Sequence, residues 1–249
     1  MRTIIALVLR EMGATYGQSP GGYVWAIVQP IGIIVILSIG FSLLVRSPSL
    51  GTSFLLFYAT GFLPFDMYSI LAAKISSALK YSRPLLAYPR VTWLDAILGR
   101  FVLNVLTLLT VSCVVIVAIM VFVDSRTVLD LRYIALGFGL AATLGLAVGI
   151  MNCLLIGLFP VWAIVWSVLT RPMFIASGVL FLYEDLPSGA QAILWWNPVL
   201  HATGLMRKGF YSTYNGSYIS LQYSFGVAMV MIVVGLLFMR SNHQRILGA

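Results

Sequence analysis

Long apolar runs separated by short polar breaks make up almost the whole chain, and the breaks define the elements. In residues 1–15, Ile4, Val8 and Met12 recur every four positions with Ile5 and Leu9 beside them, while Arg2, Arg10 and Glu11 stand apart. That stretch is too short and too charged to cross a bilayer. Its one-sided pattern predicts a helix lying in the membrane interface, with residues 1–20 as the unit. The run from Gly22 to Val45 predicts a first span, with Pro30 in its first third and Tyr23 and Trp25 at the headgroup boundary. Ser53 to Ala73 predicts a second span, which contains Gly61, Pro64 and Asp66. An intramembrane carboxylate is costly, so Asp66 is expected to face protein or a wet cavity. It serves either a function or helix pairing, unless a span starting low puts it near the far interface.

Residues 74–100 break the pattern. They hold Lys74, Lys80, Arg83, Arg90 and Arg100 against a single Asp95, and Pro84 and Pro89 interrupt any helix. The apolar run Pro84-Leu85-Leu86-Ala87-Tyr88-Pro89 is bracketed by charge and cannot span. It predicts a short amphipathic element offering apolar side chains to a partner outside the bilayer. A third span, Phe101 to Val123, contains Asn104, and a small polar loop with Asp124, Arg126, Asp130 and Arg132 follows. The fourth span, Tyr133 to Leu158, repeats Gly137, Ala141, Gly145, Gly149, Cys153 and Gly157 every four residues. Such a small-residue stripe lets another helix approach closely, inside the subunit or between subunits. The Gly137-Phe138-Gly139-Leu140-Ala141-Ala142 match to a dinucleotide fingerprint lies mid-span with no strand before it, so it carries no such chemistry.

Phe159-Pro160 marks a break, and Val161 to Leu182 predicts a fifth span interrupted by Arg171-Pro172. Arg171 belongs near the cytoplasmic boundary or against a cavity rather than in lipid. Residues 184–218 are mixed, and their apolar piece Ala190 to Leu200 is of a length that suits a re-entrant or interfacial helix. Ile219 to Met239 predicts the last span. The fold class is therefore an all-α integral membrane protein with six transmembrane helices. With both termini cytoplasmic, ten of the 15 basic residues fall inside: Arg2, Arg10, Lys74, Lys80, Arg83, Arg90, Arg100, Arg171, Arg240 and Arg245.

Composition agrees with the pattern. The chain has 249 residues, 61% hydrophobic and 9% charged, against roughly a quarter charged in soluble domains. The mean hydropathy is +1.01. These values exclude a soluble enzyme, a disordered protein and a disulfide scaffold. The net charge of +8 reflects basic cytoplasmic loops facing anionic lipid, not nucleic acid. Cys113 and Cys153 are far apart in apolar runs, and His201 and His243 are isolated, so no metal site is expected. No P-loop and no catalytic motif occurs. The chain is expected to do no bond chemistry, and energy for transport must come from a gradient or from a partner. A gradient-driven carrier would need Asp66 as its coupling site. A permease driven by a separate ATPase fits better, with residues 74–100 receiving force and a second pore-forming copy completing the path.

Several segments carry a resemblance. They are Arg10-Glu11, Tyr16-Gly17-Gln18-Ser19 and Gly22-Tyr23-Val24-Trp25-Ala26-Ile27-Val28-Gln29-Pro30, then Thr60-Gly61-Phe62-Leu63-Pro64-Phe65 and Leu85-Leu86-Ala87-Tyr88-Pro89-Arg90-Val91. Arg171-Pro172-Met173-Phe174-Ile175-Ala176-Ser177-Gly178, Leu186-Pro187 and Trp196-Asn197-Pro198 continue the series. In order, they resemble the type-2 ABC exporter permeases for surface polysaccharides, above all the KpsM-like capsular branch. Thr15 stands before Tyr16-Gly17 where that family often has Arg.

The resemblance implies a homodimer with two copies of an ATPase, which would hold ATP and Mg while this chain holds no cofactor. It implies a coupling helix around Ser82 to Arg90, with Arg83, Pro84, Leu85, Leu86, Tyr88, Pro89 and Arg90 docking on the ATPase. It implies re-entrant helices within 184–218 and an inner-membrane location. The implied cargo is lipid-linked, anionic capsular polysaccharide, passed on to periplasmic and outer-membrane export proteins. O-antigen, teichoic acid or small-molecule export are the alternatives within the class. Such cargo calls for aromatic faces and cations along the path. Tyr23, Trp25, Phe62, Trp195 and Trp196 are the candidate rings, although Tyr23 and Trp25 also suit an ordinary aromatic belt. Arg207 and Lys208 are expected to draw the polyanion outward, and Arg83, Arg90 or Arg100 to gather it. Asp66 completes the candidate set.

Overall fold

The computed structural model describes residues 22–86, 91–123 and 129–248. The expected interfacial helix of residues 1–20, and Tyr88, Pro89 and Arg90 of the expected coupling element, lie outside the described residues. So do the side chains of Tyr23 and Leu85.

Every regular element among the described residues is helical. The helices are α1 (Gly22–Ser42), α2 (Phe54–Ser76), α3 (Ala78–Leu86), α4 (Trp93–Phe122) and α5 (Leu131–Leu158). They continue with α6 (Trp162–Ala176), a 3-10 turn (Tyr183–Asp185), α7 (Ser188–Leu194), α8 (Pro198–Phe210) and α9 (Leu221–Gly248). Local chemistry sets several starts. Ser53 Oγ accepts from the Leu56 amide at the head of α2. Thr92 and Asp95 form a reciprocal capping box on α4, and Asn197 Oδ1 accepts from the Val199 amide with Pro198 in the first turn of α8.

Among the described residues, five helices are long and apolar enough to cross a membrane: α1, α2, α4, α5 and α9. The span expected at Val161 to Leu182 differs. Its helix ends at Ala176 after 15 residues, about 22 Å of rise against a hydrocarbon core of about 30 Å. The stop is a left-handed turn: Ser177 caps the helix with its amide on the Met173 carbonyl, and Gly178 then takes φ +70, outside the α-helical region. The third span also differs, because the capping box starts α4 at Trp93 rather than Phe101, so residues 93–100 leave the expected loop. The single helix expected over Ala190 to Leu200 is two helices, broken at Trp195–Asn197.

α2 is the centre of the bundle and is mostly buried. The small-residue stripe of α5 explains how. A Cβ on Gly145 would lie 2.7 Å from Leu71 Cβ, and one on Gly149 would lie 2.6 Å from Ile75 Cβ. The stripe is thus spent inside the subunit, largely on α2. Gly137 extends it to the backbone of α8 and Gly157 to Ile246 of α9. One end of the bundle gathers α3, the start of α4, and the ends of α5 and α9 around Leu79, Cys153, Leu154 and Met239. The other end holds residues 177–220, where the Asp130 amide donates to the Gly209 carbonyl at 2.9 Å.

Candidate functional site

The surface at the α3 end is a braced helix. Ala78, Leu79 and Ser82 turn inward, while Lys80, Tyr81, Arg83 and Pro84 are exposed. Leu86 packs on the Leu79 cluster, so this member of the expected docking set faces the bundle. Arg100 was expected to gather polyanion, but it is only 5% exposed. Its Nη1 donates to the Lys74 carbonyl at 2.9 Å and to Ser77 Oγ at 3.0 Å, and its guanidinium lies 4.1 Å over the Tyr81 ring. It clamps α4 to the α2–α3 corner. Behind α3 lies a pocket of about 500 Å³ lined by Ser76, Lys80, Arg83 and Ile246. Neither cation has a hydrogen bond or ion pair among the described residues.

Asp66 sits midway along α2, so it is deep in the bundle rather than at an interface. With Trp25, Gln29, Lys74, Asn104 and Thr107 it lines a cavity of about 260 Å³ between α1, α2 and α4. Trp25 is otherwise 68% exposed. The structure thus brings Trp25 and Asp66 together, apart from Trp195 and Trp196 at the other end of the bundle. Phe62 is buried in the core, edge-on to Phe174 at 6.5 Å. It lines no path in this subunit.

At the opposite end, Trp195 stacks on Tyr223 at 4.9 Å and meets Trp196 edge-on at 5.3 Å. Its Nε1 donates to the Tyr218 carbonyl at 3.1 Å. Trp196 is 65% exposed, so it alone of this pair presents a free ring face. His201 locks the cluster. The Ser220 amide donates to its Nδ1, which leaves Nε2 to donate to the Trp195 carbonyl at 3.0 Å. Burial lowers the proton affinity of this imidazole, partly offset by the bond to Trp195.

Arg207 and Lys208 part company. Arg207 is 1% exposed and donates to the carbonyls of Phe181 at 2.8 Å and Val179 at 3.2 Å, with its guanidinium 4.5 Å over the Phe57 ring. The expectation that it meets a polymer is corrected by this burial. It holds the irregular segment 177–182 against α2, where a Cβ on Gly61 would meet the Val179 carbonyl at 3.0 Å. Tyr211, Tyr214 and Tyr218 surround this end, and Tyr214 donates to Glu184 at 3.1 Å. Burial pushes Tyr211 up to about 12 against the pull of Arg207, so its phenol stays neutral. Lys208 is half-buried, with Nζ 4.7 Å from the Tyr133 ring.

One site escaped the sequence reading. A groove of about 480 Å³ runs between α2 and α6, with Phe65, Ser69, Trp166, Thr170, Arg171 and Phe174 along it. Trp166, Thr170 and Phe174 recur every four residues, an aromatic helical face whose spacing is legible in the sequence.

The comparisons agree with this architecture. The ABC-2 type transporter family matches residues 2–211, and the chain belongs to that family of membrane permeases. It is 25% identical over 245 residues to the polysialic acid transport protein KpsM of Escherichia coli, covering 98% of this chain and 95% of that protein. It is also 25% identical over 242 residues to the capsule polysaccharide export inner-membrane protein BexB of Haemophilus influenzae, covering 96% and 91%. The corresponding protein CtrC of Neisseria meningitidis is 24% identical over 236 residues, covering 94% and 89%. This chain is therefore a multi-pass membrane permease of the ABC-2 class.

Proposed function

We propose that this chain is the inner-membrane half-channel of an exporter for lipid-linked acidic polysaccharide, driven by ATP hydrolysis on a separate subunit. The observation that carries the reading is α3. It lies outside the crossing helices yet is fixed to them by Arg100 and Leu79, so a push on it reaches α2, α4 and α5 without loss in a flexible loop. Its exposed Lys80, Tyr81, Arg83 and Pro84 offer the docking face, and Tyr88, Pro89 and Arg90 belong to the same proposed docking set. The printed names of the relatives support the cargo.

The α3 end is the cytoplasmic one in this reading. Among the described residues Lys74, Lys80, Arg83, Arg100, Arg240 and Arg245 lie there, against Arg46, Arg132, Arg207 and Lys208 at the other. Both termini are then cytoplasmic. α6 with residues 177–182 makes the sixth crossing, and α7 and α8 dip back from the periplasmic face. Two copies of the chain pair with two ATPases. In support, α6 is apolar yet has no buried residue, so a second copy covers it. Trp196 and Lys208 mark the periplasmic mouth, where further export proteins receive the chain. Trp25 and Asp66 line a wet side cavity rather than the main path.

The test is co-purification of the chain with the ATP-binding subunit from the same genome, followed by ATP hydrolysis with and without acidic glycan. A stable complex with glycan-stimulated hydrolysis is expected, and Arg83→Glu with Pro84→Asp should break it. A chain that purifies alone and needs no ATPase for export refutes the reading.

A further inference from the structure

Arg171 is the odd charge of this molecule. It lies nine residues beyond the first residue of α6, about 14 Å along a helix that starts at the α3 end. That places it well inside the apolar layer, not at its edge. Its side chain is exposed in the subunit. Among the described residues it has no hydrogen bond, ion pair or ring contact. An unpaired guanidinium at that depth does not persist against lipid, so its surroundings must supply water or an anion.

The groove around it has the composition of a glycan track. Phe65 and Phe174 meet edge-on at 5.2 Å, and Trp166 lies two turns below Phe174 on the same face. Ring faces suit the C–H surfaces of sugars. Thr170 donates its hydroxyl proton to the Trp166 carbonyl at 2.7 Å, which leaves its oxygen free to accept. Ser69 faces it from α2. The groove also continues toward the α3 end. Ser76, Ile156 and Ala163 belong both to it and to the pocket that holds Lys80 and Arg83. A continuous lane thus runs from the pocket behind α3 to Arg171 in the middle.

We propose that the lane between α2 and α6 is the contact site for an acidic glycan chain, with Arg171 as its deep carboxylate-binding residue and Trp166 and Phe174 as sugar platforms. The proposal rests on the exporter reading above and names the part of the chain that touches the cargo. A planar guanidinium pairs with each uronate- or sialate-type carboxylate in turn. A single such cation between aromatic rungs, rather than a cluster, lets a repeating polyanion move on. Arg171 reads the charge of each repeat as it passes.

The test uses the complex of the full chain with its ATPase in nanodiscs. Cys113 and Cys153 are replaced by Ala, and Arg171→Cys is titrated with a charged methanethiosulfonate. Val117→Cys, on an exposed face of α4, is the control for a position in lipid. Cys at 171 should react at a rate typical of aqueous thiols and Cys at 117 should not. Polysialic acid at about twice its Kd should slow the reaction at 171 about threefold by occupancy alone, and dextran should not. In the otherwise unaltered chain, Arg171→Gln should lower polysialate-stimulated ATP hydrolysis, and Arg171→Lys should restore part of it. If the wild-type complex is stimulated by polysialic acid but position 171 is unreactive or unprotected, this proposal fails and the exporter reading stands. If the wild-type complex responds to no acidic glycan and position 171 is unprotected, the exporter reading fails and takes this site with it.

Discussion

Arg207 Nη1 donates to the carbonyl of Phe181 at 2.8 Å, joining α8 to an irregular segment 26 residues upstream. With the Val179 carbonyl on Nη2 and the Phe57 ring under the guanidinium, one side chain ties residues 177–182, α8 and α2 together. The segment has no ladder or helix of its own to satisfy those carbonyls, so Arg207 does it.

The first prediction follows. Arg207→Gln leaves two buried carbonyls short of donors and should lower stability by about 2–6 kcal/mol, at about 1–3 kcal/mol for each buried acceptor left unsatisfied. Lys208→Gln, one residue on and half-buried over Tyr133, should change stability by less than about 1 kcal/mol. Thermal unfolding in detergent separates them. Equal effects would show that the Arg207 bonds do not hold the segment.

Close helix contact gives the second. Gly149→Ala would place a Cβ 2.6 Å from Ile75 Cβ, and such overpacking should cost about 1–3 kcal/mol. Gly139 has nothing within 4 Å of an added Cβ, so Gly139→Ala should be neutral or stabilising by up to about 1 kcal/mol. The same unfolding assay reads both. Two similar shifts would mean that the α2–α5 approach is looser than described.

His201 supplies a pH dependence. Burial lowers its proton affinity below the ordinary histidine value of 6.5. Below that pH the unfolded chain binds the proton more readily than the folded one. The contribution of His201 is therefore complete above about 6.5 and drains away as pH falls through its lower folded value. Unfolding temperature should decline on acidification from pH 7 to 5, and His201→Gln should flatten that decline while lowering stability at pH 7. An unchanged slope in the variant would assign the decline to other groups.

The α3 corner gives a fourth. Arg100→Leu removes the clamp on the Lys74 carbonyl and Ser77 Oγ. It should weaken the coupling of ATP hydrolysis to export more than it weakens binding of the ATPase, because the docking face itself stays intact. Export per ATP hydrolysed and co-purification yield are the two readings. Loss of binding with normal coupling would place Arg100 on the docking face instead.

The legible parts of the fold are those written locally. The Phe159-Pro160 break, the stripe from Gly137 to Gly157 and the all-helical class are visible as spacing and composition. The early end of α6 was not, because nothing in the apolar run from Val161 to Leu182 says that Gly178 takes a positive φ there. α8 was hidden by its polar residues. His201, Thr203 and Arg207 fall in the mixed stretch 184–218 beyond the helix expected to end at Leu200, yet each is buried with backbone partners that only the tertiary fold supplies. Of the candidate site, the braced basic element was foreseeable from charge and proline. The inward turn of Arg100, Arg207 and Phe62 was not, since charge and aromaticity alone do not say which way a side chain faces.

The central claim is that this permease is moved by ATP hydrolysis on a partner through α3. Its most direct measurement is transport of acidic glycan into inverted membrane vesicles, with ATP or an imposed proton or sodium gradient as the only energy source. The account predicts uptake with ATP and partner ATPase present, none with a gradient alone, and no loss on Asp66→Asn. Uptake by the isolated chain on a gradient, abolished by Asp66→Asn, would contradict it.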